Sequence, residues 1–172
     1  MRIHRNLPSI VTAIRLGLVP LLVFLVYRGM LFYGAILFLS LLCTDFMDGY
    51  LARRLGLCSR SGTFFDVIAD FILIFSMFLV FDSKDFVPHW VLILVAFFFA
   101  QFIVTSLYWD EIYDPIGKYY GSLLYGGIGL RFIISGQLFY DIATVVITVF
   151  TVTSILARVF YLRSRAKSRF RR

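Results

Sequence analysis

Residues 45–70 read DFMDGYLARRLGLCSRSGTFFDVIAD and contain four of the ten acidic residues in a chain of 172. The four are aspartates in two pairs, Asp45 with Asp48 and Asp66 with Asp70. A spacing of three or four residues puts both members of a pair on one face of a helix. The chain between the pairs is basic and contains three glycines. Two acidic helix faces joined by such a loop are typical of a site for divalent metals and a phosphate-bearing ligand.

The composition around this stretch is that of a membrane protein. Hydrophobic residues make up 60% of the chain and charged residues only 16%, which is far from the average of soluble domains. Six apolar segments are each near the roughly 20 residues that a helix needs to cross a bilayer. The segments are 10–27, 31–51, 62–81, 89–109, 119–138 and 142–162. The sequence therefore predicts an all-α integral membrane protein with six transmembrane helices.

The distribution of basic residues predicts the orientation of these helices. If the N-terminus is cytoplasmic, that side receives the arginines of the central loop, Lys118 and the six basic residues of 163–172, whereas the opposite side receives only Arg28 and Lys84. Positive residues accumulate on the cytoplasmic side of membrane proteins. We therefore expect both termini to be cytoplasmic, in a multi-pass protein of the cell membrane. Residues 1–162 are expected to form one catalytic domain, followed by a basic tail that binds anionic lipid and no nucleic acid.

The aspartates are the residues that carry chemistry, because charged groups in apolar helices are energetically expensive. Four converging carboxylates require compensating positive charge, and two Mg²⁺ or Mn²⁺ ions would supply it through carboxylate oxygens. The structural alternative pairs them with Arg53, Arg54 and Arg60. A cation transporter or channel is a further alternative, although all four carboxylates are expected at one membrane face, the cytoplasmic ends of helices two and three.

The spacing of the whole stretch resembles one known family. The run Asp45-x2-Asp48-Gly49-x2-Ala52-Arg53-x8-Gly62-x3-Asp66-x3-Asp70 is identified as the signature of the CDP-alcohol phosphotransferases. The resemblance implies a six-helix membrane enzyme, usually a homodimer, that uses two divalent cations. It also implies transfer of a phosphoalcohol from a CDP-activated lipid to an acceptor hydroxyl, with release of CMP. A catalytically inactive membrane scaffold is the remaining alternative within the family.

The resemblance also implies a role for each site residue. Asp45 and Asp66 would bridge both metals, Asp48 would hold one of them, and Asp70 would hold the other and act as the catalytic base. The residues implied to contact the CDP donor are Gly49, Arg53 and Ser59, together with Ser9, Ile10, Val11 and Thr12. The segment 6–12 is predicted to form a turn before the first helix, with Ser9 as its N-cap.

The acceptor is predicted from basic residues near the fifth helix. Lys118 directly precedes that segment and Arg131 is expected well inside it, where an intramembrane arginine indicates an anionic ligand. An equal alternative is that Arg131 pairs with a carboxylate or extends to the membrane surface. The N-terminal run NLPSIVTAIRL and the IGK of 116–118 resemble phosphatidylglycerophosphate synthases. Those enzymes usually carry Asp-Pro-x-Ala-Asp-Lys at 66–71, which here reads DVIADF, and Arg-Glu at 101–102, which here reads QF. Glycerol 3-phosphate is the expected acceptor, with inositol phosphate and serine as alternatives, and CDP-diacylglycerol or archaeal CDP-archaeol is the expected donor.

Overall fold

The computed structural model describes residues 7–54, 60–109, 117–134 and 136–169, with some side chains at the helix ends outside the described set. The described residues form six α-helices and no strand. This result confirms the all-α prediction at the level of secondary structure. The helices are α1 (Leu7–Tyr27), α2 (Leu31–Arg54), α3 (Arg60–Ser83), α4 (His89–Trp109), α5 (Gly117–Arg131) and α6 (Gln137–Arg169).

The start of α1 differs from the prediction. Helical structure begins at Leu7, so Ser9 lies inside the helix and the expected turn with Ser9 as N-cap is wrong. Pro8 explains the difference, because a proline in the first helical turn has a suitable φ and its missing N–H would have no intrahelical acceptor there. A second proline, Pro20, lies in the interior of the same helix.

The boundary between α5 and α6 also differs from the prediction. The fifth helix ends at Arg131 rather than at residue 138, and the sixth begins at Gln137. The carbonyl of Gly136 accepts the backbone N–H of Phe139 at 3.1 Å, so Gly136 caps the new helix. The apolar residues that follow Arg131 hid this break, although the dipeptide Ser135-Gly136 is a common turn signal. At 15 residues α5 is about 22 Å long, which is shorter than a typical hydrocarbon core of about 30 Å.

The chain forms two compact units, of which the first contains Met1–Phe81 and Ile128–Ile134. Within it, α1 packs against α2. The buried stripe of α1 follows the helical spacing of three and four residues, which puts its members on one face. These members are Thr12, Arg15, Val19, Leu22 and Val26. The stripe is apolar except at its N-terminal end, where it carries a hydroxyl and a guanidinium.

A glycine allows close packing elsewhere in the same unit. A Cβ atom added at Gly34 would lie 3.1 Å from Cε1 of Phe132 and 3.1 Å from Cγ2 of Val26. One turn along α2, the ring of Phe38 lies 5.5 Å from the ring of Phe132 between centroids. The short segment after α5 therefore contacts the middle of α2 through aromatic side chains.

The second unit contains Asp82–Gly127 and Ser135–Arg172, and in it α4 packs against α6. Two of its buried polar side chains, Thr151 and Arg158, are bonded to side chains of other helices. The hydroxyls of Thr151 and Tyr120 lie 2.7 Å apart, and Nε of Arg158 donates to Oγ1 of Thr105 at 2.7 Å. The Arg158 guanidinium also lies 4.5 Å from the ring centroid of Phe102, which is cation–π distance. The predicted boundary between a catalytic domain and a basic tail at 162/163 falls inside α6, which continues to Arg169.

The outer surface of both units carries large apolar side chains. Phe32, Ile93 and Leu138, for example, are about 70% exposed. Extensive exposure of large apolar side chains is unusual on the surface of a soluble protein. Among the described residues, two segments are long and apolar enough to cross a membrane, Phe64–Ser83 and Gln137–Tyr161, by length and composition. Three further helical segments are apolar but shorter: Thr12–Tyr27, Leu31–Met47 and His89–Thr105.

Candidate active site

Three of the four predicted metal ligands have described side chains, and all three belong to the first unit. Asp45 lies nine residues before the end of α2, and Asp70 lies ten residues after the start of α3. At 1.5 Å per residue, both are about 14–15 Å along their helices from the connection between them. Asp66 lies one turn closer to that connection, on the same face of α3 as Asp70. The side chains of Asp45 and Asp70 are 39% and 31% exposed, so both remain accessible.

Arg15 of α1 joins the two helices. Its Nη1 donates to Oδ1 of Asp45, and the same nitrogen donates to Oδ1 of Asp70 at 2.9 Å. The Arg15 side chain is only 4% exposed, so this ion pair lies under the more accessible carboxylates. A buried guanidinium requires such partners, because an unpaired charge away from water is strongly unfavourable. One cation therefore brings a carboxylate of α2 and a carboxylate of α3 to a common point.

Thr12 holds the third carboxylate. Its Oγ1 donates to Oδ1 of Asp66 at 2.9 Å, and the residue is buried. Thr12 and Arg15 are three residues apart, so one face of α1 contacts aspartates at both positions of α3 and one position of α2. Asp66 is also close enough to Asp45 for the two carboxylates to repel each other. The family resemblance implies that Thr12 contacts the CDP-activated lipid. The structure shows a bond from Thr12 to Asp66, which is a predicted metal ligand.

The carboxylates of Asp45, Asp66 and Asp70 have the chemistry of a divalent metal site. Three carboxylates and one guanidinium carry a formal charge of −2, and hard cations such as Mg²⁺ and Mn²⁺ prefer carboxylate oxygens. Among the described side chains, no three Asp, Glu, His or Cys residues come close enough together to hold a metal ion by themselves. Asp48, the fourth expected ligand, lies outside the described side chains. The residues present fit a metal in charge and ligand type, and Arg15 partly neutralises them.

The other predicted site residues are distributed as follows. Arg131 is buried and belongs to the first unit, but it is the last residue of α5 rather than a residue well inside it. Arg54, one of the alternative partners of the aspartates, is exposed. Outside the described set lie the side chains of Ser9, Ile10, Val11, Arg53, Ser59 and Lys118, and the surroundings of Gly49.

Arg15 was missed as a site residue by the sequence reasoning. A signal was nevertheless present, because Arg15 lies at helical spacing from Val19, Leu22 and Val26 and so falls on their apolar face. A charged residue on such a face requires a buried partner. Arg158, which is also buried in an apolar helix, carries the same signal in the second unit.

The comparison with protein families identifies the chain. The profile described as CDP-alcohol phosphatidyltransferase matches residues 5–170. The chain belongs to this family. The match includes both aspartate pairs and all six helices, and it agrees with the resemblance seen in residues 45–70.

Three relatives of this CDP-alcohol phosphatidyltransferase family member share the description CDP-diacylglycerol–glycerol-3-phosphate 3-phosphatidyltransferase. The protein of Rickettsia prowazekii (strain Madrid E) is 34% identical over 110 residues, covering 62% of this chain and 60% of the relative. The protein of Bacillus subtilis (strain 168) is 32% identical over 117 residues, covering 59% and 60%. The protein of Escherichia coli (strain K12) is 32% identical over 104 residues, covering 59% and 57%. The matched segment thus spans less than two thirds of each relative, and all of them are named as transferases.

Proposed function

We propose that the protein is a membrane enzyme that transfers a phosphatidyl group from CDP-diacylglycerol to glycerol 3-phosphate and releases CMP. The observation that carries this proposal is the family match over residues 5–170, which includes the four aspartates. The relatives named above act, by their descriptions, on this donor and this acceptor. The bonded set of Asp45, Asp66 and Asp70 around α1 supplies the carboxylates that the reaction needs.

The chemical step is a displacement at the phosphorus that carries the lipid. The acceptor hydroxyl oxygen forms a bond to this phosphorus, and the bond from phosphorus to the bridging oxygen of CMP breaks. CMP leaves with the electron pair of the broken bond, and the hydroxyl proton passes to the Asp70 carboxylate. Asp70 suits this role because its side chain is 31% exposed and so remains accessible to the acceptor. A base must lie within hydrogen-bonding reach of the proton that it removes.

We infer that two divalent cations, Mg²⁺ or Mn²⁺, belong to the active protein. The residues that would hold them are Asp45, Asp48, Asp66 and Asp70. When bound, such cations neutralise the diphosphate and the negative charge that develops on departing CMP. Thr12 keeps Asp66 in one orientation through the bond at 2.9 Å, and outer partners of this kind hold metal-binding carboxylates in position.

The donor's nucleotide would lie against the connection between α2 and α3. The family resemblance assigns its contacts to Gly49, Arg53 and Ser59, with Ser9, Ile10, Val11 and Thr12 of α1 approaching it. A glycine lets a ligand approach the helix backbone, and an arginine offers two parallel donors to a phosphate oxygen. Thr12 is the described member of this group, and its bond to Asp66 links the donor contacts to the carboxylates.

Glycerol 3-phosphate is the acceptor that the relatives favour. An anionic acceptor also suits a chain that buries Arg131 in the same unit as the aspartates. Lys118 is the second proposed contact to its phosphate. The differences from the synthase pattern, Val67 and Phe71 near the aspartates and Gln101-Phe102 in α4, make the acceptor the part of the proposal that an assay must decide.

We propose a multi-pass protein of the cytoplasmic membrane, with both termini and the aspartates on the cytoplasmic side. The exposed apolar side chains and the distribution of basic residues support this topology. Acyl chains of the donor would then stay in the bilayer while CMP and the acceptor exchange with water. A homodimer is proposed from the family resemblance.

A direct test measures CMP release by the purified full-length protein in detergent micelles. The reaction contains CDP-diacylglycerol, Mg²⁺ or Mn²⁺, and glycerol 3-phosphate, inositol phosphate or serine in separate samples. The proposal predicts metal-dependent release of CMP with glycerol 3-phosphate and formation of a phosphatidylglycerophosphate product. Release with inositol phosphate or serine alone would reassign the acceptor, and no release with any acceptor would overturn the transferase proposal.

A further inference from the structure

The Arg15 guanidinium lies between Asp45 and Asp70, two of the residues that would hold a metal. Both carboxylates contact the same nitrogen of its guanidinium, Nη1, through their Oδ1 atoms. This is the contact expected of a counter-ion, because two like charges on neighbouring helices need a positive group between them. The family resemblance assigns no role to Arg15.

Among the described residues, partners bond the guanidinium through one of its three nitrogens, Nη1. Nε and Nη2 of Arg15 are buried and have no hydrogen-bond partner among the described residues. Buried N–H groups without acceptors are unfavourable, since they have lost water and gained nothing in return. The position between the carboxylates is therefore stabilised by charge and opposed by the unsatisfied donors. Such an arrangement is easier to displace than one in which the whole guanidinium is bonded.

We propose that Arg15 is the counter-cation of the metal-free site and that a divalent cation replaces it at Asp45 and Asp70. This inference rests on the proposed metal site. Two positive groups that share the same carboxylate oxygens repel each other, so metal binding moves the guanidinium away from at least one of the two aspartates. Arg15 then lowers the apparent affinity for metal while it stabilises the protein that has none.

Support of the metal ligands by Arg15 and competition with the metal predict opposite changes in metal affinity when Arg15 is removed. If Arg15 stayed in place as a supporting partner of the metal ligands, its removal would weaken metal binding. If it competes with the metal, its removal tightens metal binding. When the paired state is about 90% populated, loss of the competitor raises the apparent affinity about tenfold. The metal-free protein would at the same time become less stable, because Asp45 and Asp70 lose the ion pair with Arg15.

The experiment compares the full-length wild-type protein with Arg15→Gln, Arg15→Lys and Arg28→Gln in detergent micelles. Arg28 is an exposed cation over the ring of Phe24 in the turn after α1, so its variant is the matched control. The dissociation constant for Mn²⁺ is measured from the electron paramagnetic resonance signal of free Mn²⁺. The melting temperature is measured with chelator and with Mn²⁺.

We expect Arg15→Gln to lower the Mn²⁺ dissociation constant about tenfold and to lower the melting temperature in chelator. The Mn²⁺-dependent rise in melting temperature should increase accordingly. Arg15→Lys, which keeps the charge, and Arg28→Gln should stay within about twofold of the wild type in Mn²⁺ affinity. Unchanged or weaker Mn²⁺ binding in Arg15→Gln overturns the proposal. Binding of Mn²⁺ to Arg15→Lys that is as tight as binding to Arg15→Gln also overturns it.

A second measurement uses the wild-type protein and covers the case in which Arg15→Gln does not fold. In protein labelled with ¹³C and ¹⁵N at arginine, the Arg15 side-chain signal is assigned by its loss in Arg15→Lys. Addition of Mg²⁺ should shift this signal and leave the Arg28 signal unchanged. A constant Arg15 signal in protein that binds Mg²⁺ overturns the counter-cation role alone, whereas a wild-type protein that binds neither metal overturns the proposed metal site as well.

Discussion

The bond from Thr12 to Asp66 offers a quantitative test of how α1 supports the candidate site. Thr12 is 7% exposed, and its Oγ1 donates to Oδ1 of Asp66 at 2.9 Å. A hydrogen bond to a charged acceptor contributes about 1.5–3 kcal/mol. Asp66 is partly accessible, so water can replace some of the lost bond and the lower value of about 1.5 kcal/mol applies. Thr12→Val keeps the shape of the side chain and removes only the hydroxyl.

The matched variant is Thr12→Ser, which keeps the hydroxyl and removes one methyl group. Loss of a buried methyl costs about 0.8 kcal/mol in transfer free energy, so the two variants should differ little in stability. For a chain of this size, 1 kcal/mol corresponds to about 2–4 °C in melting temperature. We therefore expect Thr12→Val to melt about 3–6 °C lower than the wild type in detergent with chelator, and Thr12→Ser about 2–3 °C lower.

The two variants should differ clearly in activity. Removing a partner that orients a metal-binding carboxylate typically lowers metal affinity or activity about 10–100-fold. Thr12→Val should therefore lose about this much metal-dependent CMP release, and Thr12→Ser should keep most of it. Wild-type activity and stability in Thr12→Val would refute the supporting role of the bond. Equal losses of activity in both variants would also contradict this role, because Thr12→Ser keeps the hydroxyl that forms the bond.

Four further outcomes are expected from the same assays. Asp70→Asn should reduce CMP release about 10²–10⁴-fold with helical content unchanged by circular dichroism, and near-normal release would exclude Asp70 as the base. Leu22→Ala, at a fully buried position, should lower the free energy of unfolding by about 2–5 kcal/mol, whereas a similar loss at the neighbouring exposed Leu21→Ala would contradict the described packing of α1. Gly34→Val should destabilise the protein by about 1–3 kcal/mol, because its Cβ would lie 3.1 Å from Phe132, and an unchanged melting temperature would argue against that contact. Chelation should abolish CMP release and added Mg²⁺ or Mn²⁺ should restore it, so activity that persists in chelator would exclude the metal requirement.

The helices were predictable wherever the length of an apolar run matched the length of the helix. The apolar runs predicted six helices, and α4 begins and ends at the predicted residues. The predicted helix boundary was wrong where the apolar residues continue past the end of α5. Phe132 to Ile134 are as apolar as a helix interior, so the end of α5 was predicted seven residues too late. The backbone bonds to Gly136 form only when the chain turns there, and hydropathy does not report a turn.

The sequence by itself determined the class of the protein and the family signature, because both depend on residue type and spacing along the chain. Carboxylates three or four residues apart share a helix face in any fold, and the apolar composition predicts a membrane protein without coordinates. Only the tertiary structure decided which cation contacts Asp45 and Asp70. The sequence offered the nearby Arg53, Arg54 and Arg60, whereas the described partner is Arg15, which is 30 residues from one aspartate and 55 from the other. Such a contact depends on how α1 packs against α2 and α3, and packing between helices is not encoded in the spacing within any one of them.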